Sequence, residues 1–174
     1  GVGHVRYPTA GGAGKEFAQP MYVNSPYGIS LAHNGNLTNS KSLAKELFFA
    51  EMRHLNTDSD SEVLLNILAH EIAKQKAINP TPEHLFKAVS KTHIRCDGAY
   101  AVVALITGAG ILAFRDPNGI RPLVIGEREG KNRKEYVIAS ENALFASLGF
   151  KTLRDVEPGE AVFIDKKGII SSKQ

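Results

Sequence analysis

The stretch Gly98-Ala99-Tyr100-Ala101-Val102-Val103-Ala104-Leu105-Ile106-Thr107-Gly108-Ala109-Gly110-Ile111-Leu112-Ala113-Phe114 decides the fold class. Two short apolar runs, Ala99 to Ile106 and Gly110 to Phe114, flank a small turn at Thr107-Gly108-Ala109. That is the signature of a β-hairpin. Upstream of Gly98 the apolar period is that of a helix; downstream it is two, or short runs.

Three helices are expected upstream. The first runs from about Asn39 to Met52, with Leu43, Leu47 and Phe48 on one face. The second starts at Ser59-Asp60-Ser61-Glu62, a capping box with Ser59 as N-cap. Val63, Leu64, Ile67, Leu68 and Ile72 then recur at helical spacing. The third starts at Thr81-Pro82, a cap followed by proline at the first helical position.

Before them, Gly1 to Tyr7 alternates like a strand, and residues 8 to 20 read as a glycine-rich loop of the kind that forms lids. Tyr27 to His33 reads as a strand ending on Asn34-Gly35, a strong turn signal.

After the hairpin, strands are expected at Pro122 to Gly126 and Glu135 to Ala139, around a charged loop from Glu127 to Lys134. Ser140 to Leu148 reads as a short helix. Leu153 to Val156, Ala161 to Ile164 and Gly168 to Ser171 read as further strands. Helices packed on sheets of antiparallel strands make an α+β protein.

Composition excludes several classes. The 174 residues allow one domain, or at a stretch two small ones. The net charge of +3 is too small and too dispersed for a nucleic-acid footprint. The single cysteine, Cys96, rules out an internal disulfide or a four-cysteine metal site, and suits a reducing cytoplasm. No apolar run approaches the ~20 residues of a membrane span.

Several motifs fail on inspection. Gly1-Val2-Gly3-His4-Val5-Arg6 lacks the third glycine of a dinucleotide fingerprint. His70-Glu71-Ile72-Ala73-Lys74 has lysine where the zinc motif needs its second histidine. Gly11-Gly12-Ala13-Gly14-Lys15 lacks P-loop spacing. Cys96, between His93 and Asp97, stands at a helix-to-strand connection without a nucleophile's surroundings, and reads as structural.

Four polar clusters remain. They are Arg6, Asn34-Gly35, Asp60, and Arg115-Asp116-Pro117-Asn118-Gly119-Ile120-Arg121-Pro122. Arginine can hold a carboxylate with paired hydrogen bonds. Aspartate can hold an ammonium group. An asparagine side chain beside a glycine N–H can stabilise an oxyanion. These residues together describe a possible amino-acid site, but no nucleophile accompanies them. Taken singly, Asp60 is also explained by the helix dipole and Asn34-Gly35 by a turn.

Gly3-His4-Val5-Arg6-Tyr7-Pro8-Thr9-Ala10-Gly11, Asn24-Ser25-Pro26-Tyr27-Gly28, His33-Asn34-Gly35-Asn36-Leu37-Thr38-Asn39, Ser59-Asp60-Ser61-Glu62, Arg115 to Leu123 and Arg154 to Glu160 occur in that order along the chain. With these motifs the sequence resembles the class II glutamine amidotransferases, which use an N-terminal nucleophile. Within that class it is similar to the amidophosphoribosyltransferase family. The hexosamine-forming synthases share the His-Asn-Gly segment and the helix-start aspartate, but carry Trp and His where Tyr7 and Ala10 stand. Asparagine synthetases share the Arg115 turn but differ in the arginine loop.

The resemblance implies a four-layer αββα sandwich of antiparallel sheets. It implies that Arg6 binds the glutamine α-carboxylate, Asp60 its α-ammonium, and Thr9 adds a contact. Asn34 and the Gly35 N–H would form the oxyanion hole, and the loop from Tyr7 to about Gln19 would close over substrate. An N-terminal cysteine would attack the amide, and the released ammonia would convert phosphoribosyl pyrophosphate to phosphoribosylamine, the first step of purine synthesis.

Residue 1 is glycine, so the expectation is a partial domain over 1–174, truncated at its N-terminus and inactive alone. Its opening strands and nucleophile would lie upstream, and a phosphoribosyltransferase domain downstream. The implied partners are glutamine and, through that further domain, phosphoribosyl pyrophosphate, with no nucleic acid or membrane. The implied cofactor is magnesium in that further domain, with no cofactor or metal in this piece. The full-length protein would be a cytoplasmic homo-oligomer. Another class II amidotransferase, or a glutamine-binding module without catalysis, are the alternatives.

Overall fold

The computed structural model describes residues 1–5 and 14–174. Among the described residues, nine strands form two antiparallel sheets. The larger has the order β1 (Met21–Val23), β2 (Ile29–Leu37), β3 (Gly98–Ile106), β4 (Gly110–Arg115), β8 (Ala161–Asp165), β9 (Ile170–Lys173). The smaller has β6 (Lys134–Ala139), β5 (Val124–Glu129) and β7 (Lys151–Asp155). Three helices, α1 (Ser40–Phe49), α2 (Asp60–Ala73) and α3 (Pro82–Arg95), form the helical layer.

The expected hairpin is β3 and β4, paired from Ala101↔Arg115 to Ile106↔Gly110. Its side chains alternate between two cores. Tyr100, Val102, Ala104, Ile106, Leu112 and Phe114 face the helices and join Leu64, Leu68 and Leu85. Ala101 and Ala113 face the other way and join Leu123, Ile125, Val156 and Val162 between the sheets. A strand buried on both faces needs apolar residues at successive positions, which is why the run is continuous.

Helix α2 is buried nearly all round, from Val63 to Ile72. Its Ser59 cap accepts from the Ser61 N–H at 3.3 Å. The capping box is only half made, because Glu62 reaches past the cap. Its carboxylate accepts from the Asn56 and Thr57 N–H groups at 2.8 and 2.7 Å. At α3, His84 Nδ1 accepts the Thr81 N–H at 3.2 Å. Arg95 ties the three helices together, donating to Glu46 of α1 at 3.1 Å, to Glu51 just beyond α1 at 2.6 Å and to Glu71 of α2 at 2.8 Å.

Several expectations need correction. The Asn34-Gly35 turn does not exist: β2 continues to Leu37, with Asn34 opposite Ala101 and Gly35 opposite Tyr100. Gly35 has φ +149°, and a Cβ there would overlap the Ala99 carbonyl oxygen. The glycine therefore serves close strand approach rather than chain reversal. Gly1 to Val5 forms no strand, and Arg6 and Tyr7 lie outside the described residues. A short strand, β1, appears in a stretch given no element. The charged loop narrows to residues 130–133, because Arg128 pairs with Glu135 at 2.7 Å and Lys134 with Glu127 at 3.1 Å across the β5–β6 hairpin. The helix expected over Ser140 to Leu148 is a single 3-10 turn, Ala146–Leu148. Phe145, beside that turn, packs on the smaller sheet at Gly126, where a Cβ would stand 2.7 Å from the ring.

A cleft of about 540 Å³ opens between the sheets, lined by Ala32, Asn34, Ala101, Val103, Val137 and Phe145 among others. Among the described residues no helix is long and apolar enough to cross a membrane.

Candidate active site

Strand β2 organises the site. Strand β1 pairs only with Ile29 to Leu31, so from Ala32 onward one edge of β2 has no strand beside it among the described residues. In a β-strand the N–H groups of residues i, i+2 and i+4 point to the same side. The His33 N–H donates to Gln19 Oε1 at 2.7 Å, and the Leu37 N–H donates to Asp60 Oδ2 at 3.0 Å. Both bonds leave β2 on the open edge. The N–H of Gly35, midway between them, is aimed the same way and carries no such cap among the described residues. A single backbone donor therefore stands between two capped ones.

The side chain of Asn34 points to the opposite face of β2 from His33, into the inter-sheet cleft. Its Oδ1 lies 3.0 Å from His4 Nε2. With His4 donating to Oδ1, the Asn34 amide N–H groups remain free as donors. Asp60, the first residue of α2, is half-buried, and its Leu37 bond occupies Oδ2 alone. The structure thus brings Asn34, Gly35 and Asp60 to one end of β2. Arg6 and Thr9 lie outside the described residues.

His33 is 4% exposed and packs against α2. Its Nδ1 lies 3.0 Å from Ser61 Oγ, which also receives Gln19 Nε2 at 3.1 Å. Burial pushes its pKa down to about 4, with His4 and Arg121 adding to the shift and Asp60 opposing it.

The fourth polar cluster is structural. Asp116 is fully buried and accepts from the N–H groups of Tyr100, Asn118, Ile120 and Arg121. Arg115 donates to the carbonyls of Gly119, Arg121 and Val156 at 2.6 to 2.8 Å. These bonds satisfy a tight loop from within. His70 and Glu71 are likewise absorbed, by Glu51 at 3.1 Å and Arg95 at 2.8 Å. No group of three or more metal-ligating side chains occurs among the described residues. Cys96 is buried, and burial pushes its thiol up to about 12, far from a nucleophile's range.

A family model described as a glutamine amidotransferase domain matches residues 12–147. The chain belongs to this family. Similar relatives of the glutamine amidotransferase domain are amidophosphoribosyltransferases of Pseudomonas aeruginosa, 59% identical over 174 residues, and of Escherichia coli, 54% identical over 175. Each match covers all of this chain and 35% of the relative. The chain therefore spans about a third of the length of the curated relatives it matches. Among solved structures, the glutamine phosphoribosylpyrophosphate amidotransferase from B. subtilis, complexed with ADP and GMP, aligns with a TM-score of 0.74 and 33% identity, over 98% of this chain and 34% of that one. The antiparallel sheets match the fold of that enzyme class.

Sequence reading gave no individual role to His33, Ser61 or His4, although all three lie in its motifs, and it named Gln19 only as the approximate end of the arginine loop. One signal was available. Ile29, Leu31, His33 and Leu37 share the helix-facing side of β2. A histidine in that apolar series is a polar group at a core position, which needs a partner.

Proposed function

We propose that this chain is the glutaminase part of an amidophosphoribosyltransferase. The observation that supports it best is the open edge of β2, where the Gly35 N–H stands between the capped N–H groups of His33 and Leu37. In this reading a cysteine thiolate attacks the glutamine side-chain carbonyl carbon. Negative charge develops on the oxygen as the carbon becomes tetrahedral. The Gly35 N–H and the Asn34 amide are donors fixed before the reaction, so they stabilise that charge without reorganisation. Asp60 Oδ1 receives the α-ammonium, and Arg6 pairs with the α-carboxylate. Thr9 adds a polar contact. Collapse of the intermediate releases ammonia and leaves a glutamyl thioester, which water cleaves to glutamate.

The nucleophile in this reading is a cysteine outside these 174 residues, since Cys96 is buried in the core beneath the helices. The ammonia displaces pyrophosphate from phosphoribosyl pyrophosphate in a further domain, where magnesium is the expected cofactor. The whole protein is a cytoplasmic homo-oligomer in this proposal, a point that sedimentation of the full-length protein tests.

The deciding experiment uses the full-length protein. It should release glutamate from glutamine and form phosphoribosylamine when phosphoribosyl pyrophosphate is present. Glutamate release coupled to a hexosamine or to asparagine would assign another acceptor chemistry. Glutamine binding without hydrolysis would assign a binding module.

A further inference from the structure

Two elements of the proposed site, β2 and α2, are joined by side chains. Gln19 stands just ahead of β1. His33 precedes Asn34 and Gly35. Ser61 follows Asp60. The three residues bond to one another. The His33 N–H donates to Gln19 Oε1 at 2.7 Å, Gln19 Nε2 donates to Ser61 Oγ at 3.1 Å, and Ser61 Oγ lies 3.0 Å from His33 Nδ1.

The directions of these bonds follow from counting donors. Ser61 Oγ already accepts from Gln19, and its own hydrogen needs an acceptor in a buried place. His33 Nδ1 is the acceptor within reach. The hydrogen bonds then run as a closed ring: His33 N–H to Gln19, Gln19 to Ser61, Ser61 to His33. The imidazole is neutral, with its proton on Nε2. That nitrogen is buried, has no partner among the described residues, and lies over Gly35, where a Cβ would stand 2.9 Å from it.

We infer that Gln19, His33 and Ser61 form a positioning clamp that sets the oxyanion donors of β2 and the ammonium-binding Asp60 of α2 in mutual register. The inference rests on the glutaminase reading above. The clamp acts through its neighbours, so His33 is a positioning residue rather than a catalytic one. His33 and Ser61 each stand within one residue of a binding group, and Gln19 bonds to both. A displacement at any member therefore moves the two subsites together. Misplacement of reacting groups by about 1 Å can cost on the order of a hundredfold in rate.

The test compares wild type, His33→Leu, His33→Asn and Ser61→Ala in the full-length protein. Asparagine places an acceptor oxygen near the position of Nδ1 and so keeps the bond from Ser61. Leucine and the Ser61 variant break the ring. We expect His33→Leu and Ser61→Ala each to raise the KM for glutamine about tenfold or more, and His33→Asn to stay within about threefold of wild type, as a lost and a retained orienting bond would give. A His33→Leu protein with wild-type KM overturns the clamp. So does a His33→Asn protein as impaired as His33→Leu, since bulk alone would then account for both. Should either ring-breaking variant fail to fold, the comparison of His33→Asn with the remaining one decides. Nitrogen-15 spectra of the His33 ring separate this inference from the function. A neutral ring protonated at Nε2 supports the clamp, and a ring protonated at Nδ1 overturns it, even if the wild-type protein hydrolyses no glutamine and the function proposal falls.

Discussion

The Leu37 N–H donates to Asp60 Oδ2 at 3.0 Å, so the strand that carries Asn34 and Gly35 is bonded to the first residue of α2. One carboxylate oxygen holds the strand. The other is left for a ligand, at the N-terminus of α2.

Asp60→Asn and Asp60→Ala should therefore separate. Asparagine keeps an acceptor for Leu37 and loses the charge that pairs with an ammonium group. Its stability should stay near that of wild type while glutamine affinity falls steeply. Alanine also leaves the Leu37 N–H without a partner, at a cost of about 1–3 kcal/mol. Denaturant melts together with glutamine titration check both. Equal stability losses in the two variants would refute the structural half of the argument.

Gly35→Ala should fail for a backbone reason. Its φ of +149° disfavours an L side chain, and the new methyl group would run into the Ala99 carbonyl on β3 and His33 Nε2 on the same strand. We expect a loss of about 2–4 kcal/mol from strain and broken pairing, with glutamine hydrolysis abolished. Asn36→Ala, in the same strand, is the control. A Gly35→Ala protein as stable as wild type would show that β2 can shift to accommodate the methyl group.

These two sites show how far the sequence carried. The elements around the β3–β4 hairpin and α2 were legible because their apolar spacing reports directly on burial. Arg115 to Pro122 was recognised as a polar turn, but its purpose was not, since Asp116 draws N–H groups from both its own loop and Tyr100. Asn34-Gly35 was misread, because a turn and a close strand crossing ask for the same glycine. Only the neighbouring strand distinguishes them, and a local pattern contains no neighbour. Asp60 and Asn34 were named as site residues from chemistry and resemblance. The link between them runs through Leu37, Ser61 and Gln19, whose roles depend on contacts 14 to 42 residues apart in the chain.

Acid should destabilise the domain through His33. In the unfolded chain its imidazole takes up a proton near 6.5, and in the fold only at about 4. The buried ring contacts Ser61 of α2 and feels the charges of Asp60 at the start of α2, His4 in the N-terminal segment and Arg121 in the loop before β5. Between those two values the unfolded state binds more protons. The contribution is complete above 6.5 and is lost as pH falls toward 4. The slope is about 1.4 kcal/mol per pH unit and the total on the order of 3 kcal/mol. Chemical denaturation at a series of pH values should give this slope in wild type and a shallower one in His33→Asn. Identical slopes would remove His33 as the cause.

Cys96 should be silent toward thiol reagents in the native protein. It follows α3 as the helix cap, is 3% exposed, and packs in the core beneath the helices. Burial raises its pKa to about 12, with Asp97 and Glu46 adding to the shift and Arg95 opposing it. Reaction requires thiolate, and at pH 8 a thiol of that pKa is ionised to only about one part in ten thousand. Labelling with an aromatic disulfide should therefore follow the rate of unfolding rather than reagent concentration, and become stoichiometric in denaturant. A glutamine-analogue electrophile should spare Cys96 under native conditions, so any labelling of a longer protein would map to a different cysteine. Rapid native labelling at Cys96 would contradict both its burial and its exclusion from the chemistry.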